Sequence, residues 1–372
     1  MSEEQKNIAK KEIFETLRLC NFCIRRIGLS FCDDVPISIS GKLKTYLSFV
    51  TSSSLLILML AGEIANIAVQ MVNNASIEDF VGSYLHIAGY DTMSFGKLLT
   101  IWYKRNTFRQ LVVELAEIWP VVLKDKGADE IKQNSLSSLK HRQILISVCC
   151  MLGSDLLFMT MSSHISMLLR LLQEKIRRLG CNENGMTSDT KNVDCYKEIV
   201  SVVKIHQRLI SYSRHLEEAF SVVNLINVLL SSVDICCVVF TIVFLESWME
   251  MSNKFFLGAA LTQMGIVCWY ADDIYRASLG VSDAVYESGW YCSTPRCRRA
   301  MLIVLQRTQK PLYFTALKFR AITMMTYSSL HYIACFRYSL LLTRISHCCI
   351  RHIDVINITT TRITIKLRLV LK

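Results

Sequence analysis

Five ionisable side chains interrupt stretches that are otherwise apolar: Glu63, Asp91, Asp155, His164 and Asp234. Charged groups are costly in hydrocarbon, so residues of this kind face protein or water and are candidates for a functional role. The competing interpretation is that each is hydrogen-bonded inside a helical bundle as part of its structure. Enzyme chemistry is not indicated, because the sequence has no Gly-rich phosphate loop, no H-E-x-x-H and no G-x-S-x-G motif.

The cysteines are the other reactive residues, and there are 15 of them. Cys20 and Cys23 form one C-x-x-C pair, but no second pair completes a zinc site. Buried free cysteine behaves as a small apolar residue. We therefore predict no metal and no cofactor, and we interpret as apolar fillers the cysteines that lie within hydrophobic runs: Cys149, Cys150, Cys236, Cys237 and Cys268.

The overall composition indicates a membrane protein. Of the 372 residues, 52% are hydrophobic, the mean hydropathy is +0.32 and the formal charge is +11. A nucleic-acid-binding protein would gather its basic residues on a polar face, whereas here they lie between long apolar runs. Intrinsic disorder and a small disulfide scaffold are excluded by the apolar content and the length. The charged start MSEEQKNIAKKE lacks the apolar core of a cleavable signal peptide.

Six stretches are candidates for membrane-spanning helices, each of which requires about 20 mostly apolar residues. The sequence therefore predicts an all-α, polytopic transmembrane helical bundle with about six spans. The candidates are Tyr46–Val69, Phe80–Trp102, Gln143–Leu169, Phe220–Leu245, Phe255–Ala271 and a last one that begins near Phe314.

The distribution of basic residues predicts the orientation of this bundle. Eight Lys and Arg precede the first span, whereas the connection Gln70–Asp79 contains none. Cytoplasmic segments carry the excess of Lys and Arg, so the N-terminus is predicted to be cytoplasmic and this connection external. The sequon at Asn74 lies in the external connection, where glycosylation would occur.

The same rule reveals an irregularity around the third span. The connections on both of its sides, Tyr103–Arg142 and the one after Leu169, are strongly basic and should both be cytoplasmic. A single crossing would place one of them outside, and 27 residues are too few to cross twice. We interpret this as a missing crossing between Arg142 and Leu169. The alternative is that the run dips into the membrane and returns.

Two stretches in the C-terminal third indicate a family. Cys268–Tyr291 contains the block YESGWY, and Gln306–Leu330 contains QKP and ALKF. Both stretches resemble insect odorant receptors, and among these the lepidopteran members. Ser154–Leu179 and Val203–Gln207 resemble the fourth helix of that family and the approach to its fifth. The resemblance extends over roughly Phe14–Leu330.

This resemblance implies seven helices with a cytoplasmic N-terminus. It also implies that the chain is an odorant receptor subunit that binds small volatile odorants. The subunit would gate a cation channel as a hetero-oligomer with the olfactory co-receptor. Its location would be the plasma membrane of olfactory sensory neuron dendrites. One alternative is a gustatory-type receptor of the same superfamily, and another is a non-functional aberrant product of an odorant-receptor gene. A secondary transporter would show internal repeats and broken helices, which are not evident.

Two departures from the family pattern support the aberrant-product alternative. By resemblance, the third helix and the large second external loop are absent, with the join near His141–Ile146. After Leu330 the sequence no longer matches and ends in a basic tail. The predicted organisation is a cytoplasmic N-terminal segment (1–45), a ligand-binding bundle (46–275), an anchor segment with the last, pore-lining helix (276–342), and the atypical tail (343–372).

Candidate site residues follow from what the resemblance implies. The family's pocket lies in the outer half of the bundle, where aromatic residues and methionines adapt to small apolar ligands. The predicted ligand-binding residues are Tyr84, His86, Tyr90 and Met93 on helix two, and Met151, Phe158 and Met159 on helix four. The predicted subunit anchor consists of Tyr286, Trp290, Pro311, Lys318 and Phe319. Asp155, which is followed by Leu156-Leu157-Phe158 as in the family, is predicted to be structural.

Overall fold

The long apolar runs of the sequence fold as helices. The computed structural model describes residues 3–26, 39–72, 86–121, 125–148, 153–179, 189–242, 251–318 and 320–329. Its α-helices are α1 (Glu3–Thr16), α2 (Arg18–Arg26), α3 (Ile39–Val72), α4 (His86–Tyr103), α5 (Arg105–Ile118), α6 (Lys126–Val148), α7 (Gly153–Arg177), α8 (Asp189–Phe240), α9 (Ser252–Glu287) and α10 (Pro295–Thr308), and residues 324–329 begin a further one. The predicted all-α fold class is confirmed.

Two of the described helices are long and apolar enough to cross a membrane. Leu43–Val69 of α3 has a mean hydropathy of 1.7 and is almost entirely exposed, which suits a helix that faces lipid. The second segment, Cys195–Phe240, belongs to α8. At 1.5 Å per residue, α8 is about 78 Å long and exceeds the hydrocarbon thickness of about 30 Å. Only the apolar end of α8 can therefore lie within the membrane.

The third predicted span is not one helix. α6 ends at Val148 and α7 begins at Gly153, and the two helices pack side by side. Gln143 on α6 donates to the Thr160 hydroxyl on α7 at 2.8 Å, so the chain reverses its direction between them. The stretch Gln143–Leu169 thus turns back on itself. This observation supports the alternative in which the run dips in and returns, and it explains why both flanking connections are basic.

The N-terminal helices α1 and α2 pack against the bundle along α5, α6 and α7. Their contact is an apolar stripe whose members are spaced three or four residues apart, as on one face of a helix. Each member is at most 1% exposed: Ala9, Ile13, Leu17, Cys20 and Ile24. The Cys20 thiol also donates to the Gly153 carbonyl, with a sulfur–oxygen distance of 3.7 Å. The predicted N-terminal segment is therefore packed onto the bundle.

α2 approaches α7 closely at Gly153, since a Cβ at this position would lie 2.9 Å from Ile24 Cγ1. We expect Gly153→Val to destabilise the protein by about 1–3 kcal/mol, the usual cost of overpacking. The measurement is the thermal unfolding midpoint in mild detergent. Gly258→Val is the matched control, because a Cβ there meets no atom within 4 Å. Equal midpoints for the two variants would contradict the close packing of α2 on α7.

The last predicted span does not begin near Phe314, so that prediction was wrong. Residues 315–316 and 320–321 form a short antiparallel strand pair, and helix begins only at residue 324. Leu317 and Lys318 turn the chain with positive φ angles of 47° and 63°. Side chains disfavour such φ values, so these residues interrupt helix formation. Pro311, which lacks a backbone N–H, precedes this turn.

Candidate functional site

The structure describes the predicted ligand-binding residues only in part. Tyr84 and Met151 lie outside the described residues, and His86 is placed only as the first residue of α4. The remaining four fall into two groups: Tyr90 and Met93 on α4, and Phe158 and Met159 on α7. Each group has distinct neighbours.

Tyr90 and Met93, on α4, face the two longest helices, α8 and α9. The Tyr90 ring meets Phe256 of α9 edge-on, with centroids 5.8 Å apart. Met93 is buried, and its sulfur accepts a hydrogen bond from the Ser231 hydroxyl of α8 at 3.6 Å. One turn further along α8, Asp234 lies against Gly89, where a side chain would collide with the carboxylate. Aromatic, thioether and polar groups are thus gathered here.

Phe158 lies in a different environment. Its ring meets Phe220 of α8 and Phe314 edge-on, both at 5.1 Å between centroids. Phe108 of α5 extends the cluster, 4.9 Å from Phe220. Edge-to-face geometry at these distances is favourable for aromatic rings. All four rings are buried, as is Met159, so this part of α7 is densely packed.

Between these two groups lies a buried polar cluster centred on Asp155. Its carboxylate accepts hydrogen bonds from Lys97 Nζ at 2.9 Å, from Gln263 Nε2 at 2.8 Å and from Asn227 Nδ2 at 3.3 Å. The Lys97 side chain is 0% exposed. The cluster therefore joins α4, α7, α8 and α9 at one point, as expected of a structural carboxylate. A buried ion pair requires such additional hydrogen bonds.

The sequence interpretation did not find the partners of Asp155. Lys97, Asn227 and Gln263 were not among the predicted site residues. A lysine inside an apolar run was the available signal, because such a residue requires a buried partner. Met93 lies one helical turn before Lys97, and Phe158 lies about one turn after Asp155, so the Asp155 cluster separates the two predicted ligand-binding groups.

The other ionisable residues of the apolar runs have varied surroundings. His164 is 1% exposed, and its Nε2 is 3.0 Å from the Thr16 hydroxyl of α1, while the Trp119 ring meets it edge-on at 5.0 Å. Glu63 and Asp91 lie on α3 and α4, which pack together. His164 is thus part of the contact with the N-terminal helices. This agrees with the interpretation that such residues are hydrogen-bonded inside the bundle as part of its structure.

A cavity of about 560 Å³ lies between four helices, at the end of α5, the start of α6, the end of α7 and the first half of α8. Leucines and isoleucines contribute most of its apolar lining, and Arg178, which also lines it, pairs with Asp125 and Glu174. The hydrogen bond from the Arg178 guanidinium holds the pKa of the Asp125 carboxyl below its usual value. None of the described ligand-binding candidates lines this cavity.

The anchor candidates lie at the far end of α9. Tyr286 is 71% exposed, and Trp290, in the 3-10 turn Trp290–Cys292, is half-buried and packs against Tyr291. Pro311 is half-buried, Lys318 is exposed, and Phe319 lies outside the described residues. Other exposed apolar side chains on α10 and in the segment after it are Ile303, Tyr313 and Met325. Asn74 also lies outside the described residues.

Comparison with known proteins identifies the family. A family model described as 7tm odorant receptor matches residues 137–334, which is more than half of the chain. The chain belongs to the insect odorant receptor family. Odorant receptors are membrane proteins and receptors, not enzymes, and the match favours the olfactory over the gustatory-type interpretation.

Individual relatives share low identity with this odorant receptor. It is 25% identical to odorant receptor 67c of Drosophila melanogaster over 242 residues, which are 64% of this chain and 53% of that protein. It is 27% identical to odorant receptor 85b of the same species over 180 residues, 48% of this chain and 44% of the other. The chain thus spans about half the length of the curated relatives it matches.

The fold of the odorant receptor agrees with a solved structure. The insect olfactory receptor OR5 from Machilis hrabei superimposes with a TM-score of 0.74 over 90% of this chain and 99% of that one, at 12% identity. A structure of the same OR5 in complex with eugenol gives the same TM-score and coverage. The similarity at this identity is one of fold.

Proposed function

We propose that this receptor is the ligand-binding subunit of a cation channel that opens when a small volatile molecule binds, and that it assembles with the olfactory co-receptor. Membership of the odorant receptor family carries the proposal. The complex of OR5 with eugenol, a small molecule bound to a protein of this fold, supports the class of ligand. The mechanism is differential binding, in which the ligand stabilises the open arrangement of the last helices.

The ligand site is proposed on the outer side of the Asp155 cluster. Tyr90 and Met93 are described there, and Tyr84 and His86 precede them on the same segment of chain. Tyr90 supplies an aromatic face beside Phe256, and Met93 and Ser231 supply a deformable and a polar contact. Such a combination suits a small ligand with an apolar body and one polar group. Phe158 and Met159 on α7 remain candidates, as does Met151, which lies outside the described residues.

The subunit contact is proposed at a surface that includes Tyr286, Trp290, Pro311 and Lys318, together with Phe319, which lies outside the described residues. Exposed apolar patches of this kind mark interaction sites, and Tyr and Trp are frequent anchors in interfaces. In the proposed topology this surface is cytoplasmic, the N-terminus is cytoplasmic, and Asn74 is an external glycosylation site. The proposed location is the plasma membrane of the sensory dendrite. The proposed organisation is the one predicted from the sequence, with divisions at 1–45, 46–275, 276–342 and 343–372.

The test of this proposal is to express the receptor with the co-receptor and to record currents evoked by volatile ligands. We expect Tyr90→Ala to raise the half-maximal ligand concentration about tenfold, which corresponds to about 1.4 kcal/mol of binding free energy. Tyr103→Ala is the matched control on the same helix, since Tyr103 is 83% exposed. Equal potency of the two variants, at equal surface expression, would contradict the proposed site.

A second candidate, a non-functional product of a receptor gene, is favoured by one observation. Neither α6 nor α7 is among the described helices that are long and apolar enough to cross a membrane, whereas the family's third and fourth helices are expected to be complete spans. We expect the transcript to contain, at the join near His141–Ile146, an alternative exon that restores the missing segment. Silence of the present chain across a broad odour panel, with current restored by that exon, would establish this candidate over the first.

A further inference from the structure

The connection between α9 and α10 presents a threonine with a free hydroxyl. Thr294 is the N-cap residue of α10, but its side chain makes no capping hydrogen bond. A threonine at this position normally accepts a hydrogen bond from the amide of the second or third helical residue. Among the described residues, none bonds to the Thr294 hydroxyl, which is half-exposed.

The backbone around Thr294 has the shape of an extended substrate peptide. Ser293 has φ −79° and ψ 170°, and Thr294 has φ −59° and ψ 154°. Pro295 imposes this extended conformation on the residue before it, and it also occupies the first position of α10. Thr-Pro is the acceptor dipeptide of proline-directed protein kinases, which bind their substrates as extended chains. The exposed Pro295 and Arg296 leave the dipeptide accessible.

The basic residues that follow Thr294 are suited to binding a phosphate on its side chain. Arg296, Arg298 and Arg299 occupy the start of α10, and its first turn contains no acidic residue. Cations at a helix N-terminus oppose the helix dipole, so this end of α10 favours an anion. Arg296 stacks on the Tyr196 ring at 4.2 Å, whereas Arg298 and Arg299 are exposed and form no ion pair with any residue that the structure describes.

We propose that Thr294 is a phosphorylation site and that Arg298 and Arg299 hold its phosphate at the start of α10. The Thr294 Oγ1 atom attacks the γ-phosphorus of ATP, a new O–P bond forms, and the bond to the β-phosphate oxygen breaks to release ADP. The hydroxyl proton passes to the catalytic aspartate of the kinase. The proposal rests on the cytoplasmic placement of this segment in the proposed function, because kinases and ATP are cytoplasmic.

The position of Thr294 gives the modification a role. A phosphate adds about −1.5 to −2 charges at neutral pH. Trp290 and Tyr291, beside the proposed subunit anchor, precede Thr294 by only a few residues. Phosphorylation therefore changes the charge at the edge of the surface that binds the co-receptor. Ser293 is the less suitable acceptor, because proline does not follow it directly.

The test uses the full chain co-expressed with the co-receptor in insect cells. Permeabilised membranes are treated with ATP and a proline-directed kinase, and phosphopeptides are mapped by mass spectrometry. We expect phosphate on Thr294 in the wild type and in the matched control Ser293→Ala, and its loss in Thr294→Ala. No label in the wild type, or equal label in Thr294→Ala, would overturn the proposal. Odorant-evoked current is not needed, so a silent channel does not affect this result.

Two further measurements test the cytoplasmic placement of Thr294 and the role of the two arginines. Kinase added outside intact cells should not label Thr294, and labelling there would refute the cytoplasmic placement on which the proposal rests. Phosphorylation should slow tryptic cleavage after Arg298 and Arg299, because the phosphate engages their guanidinium groups. Cleavage at the same rate in both forms would overturn the role of these arginines, and cleavage after Arg307, in the last turn of α10, gives the reference rate.

Discussion

Replacing Lys97 with methionine is expected to destabilise the receptor by about 3–5 kcal/mol, the typical cost of leaving one member of a buried ion pair without its partner. The Asp155 carboxylate would keep the amides of Gln263 and Asn227 as donors but would lose its only described countercharge. Methionine fills much of the lysine volume, so the effect reports charge more than packing. The measurement is the unfolding midpoint in mild detergent.

The double variant Lys97→Met/Asp155→Asn provides the decisive comparison. The asparagine oxygen can accept the hydrogen bond from Gln263, and its Nδ2 can donate to Asn227 Oδ1 once the Asn227 amide rotates. No charge remains buried, so most of the lost stability should return. Lys175→Met is the control for removal of a lysine, since Lys175 is exposed and its ammonium donates only to the Ser201 hydroxyl among the described residues. If the double variant is as unstable as Lys97→Met, the ion pair is not what joins the four helices.

Replacing Phe158 with alanine is the second large effect, with an expected loss of about 3–5 kcal/mol of stability. The ring contacts Phe220 and Phe314 and is 2% exposed, so its removal leaves a cavity that neighbouring rings cannot fill. Phe255→Ala removes an identical side chain that is 74% exposed, and should leave the unfolding midpoint nearly unchanged.

The same variant also bears on the proposed ligand contacts. If Phe158 supports the core, Phe158→Ala lowers stability and surface expression, and the receptors that remain respond to ligand with normal potency. A variant with normal stability and a raised half-maximal concentration would instead assign Phe158 to the ligand site. The two groups of candidates, one on each side of the Asp155 cluster, can be distinguished in this way.

Hydropathy and charge predicted the parts of the fold that depend on composition. The run Tyr46–Val69 lies within α3, and Phe255–Ala271 lies within α9, because a long apolar segment in lipid has to satisfy its backbone as a helix. The YESGWY and QKP blocks identified the family, since they are specific side-chain patterns. Asp155 was recognised as structural from its local sequence context.

Contacts between helices were beyond this kind of prediction. Lys97 and Asp155 are 58 positions apart, and their pairing depends on how α4 and α7 are rotated and offset, which no local pattern encodes. The strand pair at residues 315–321 was missed because its turn uses Leu317 and Lys318 at positive φ, where glycine or asparagine would be the usual signal. The spacing of apolar residues in the sequence indicates the stripe on α1 and α2. The sequence does not indicate which surface covers that stripe.

That stripe has a consequence for biogenesis. Thr16 and His164, which are in contact in the finished receptor, are 148 positions apart in the chain. At a synthesis rate of about 5–20 residues per second, roughly 7–30 s pass between the emergence of α1 from the ribosome and that of its binding surface. During this interval Ile13, Leu17 and Ile24 have no native partner on α7. The newly made N-terminus therefore presents an apolar stripe that chaperones can bind until its native partners are made.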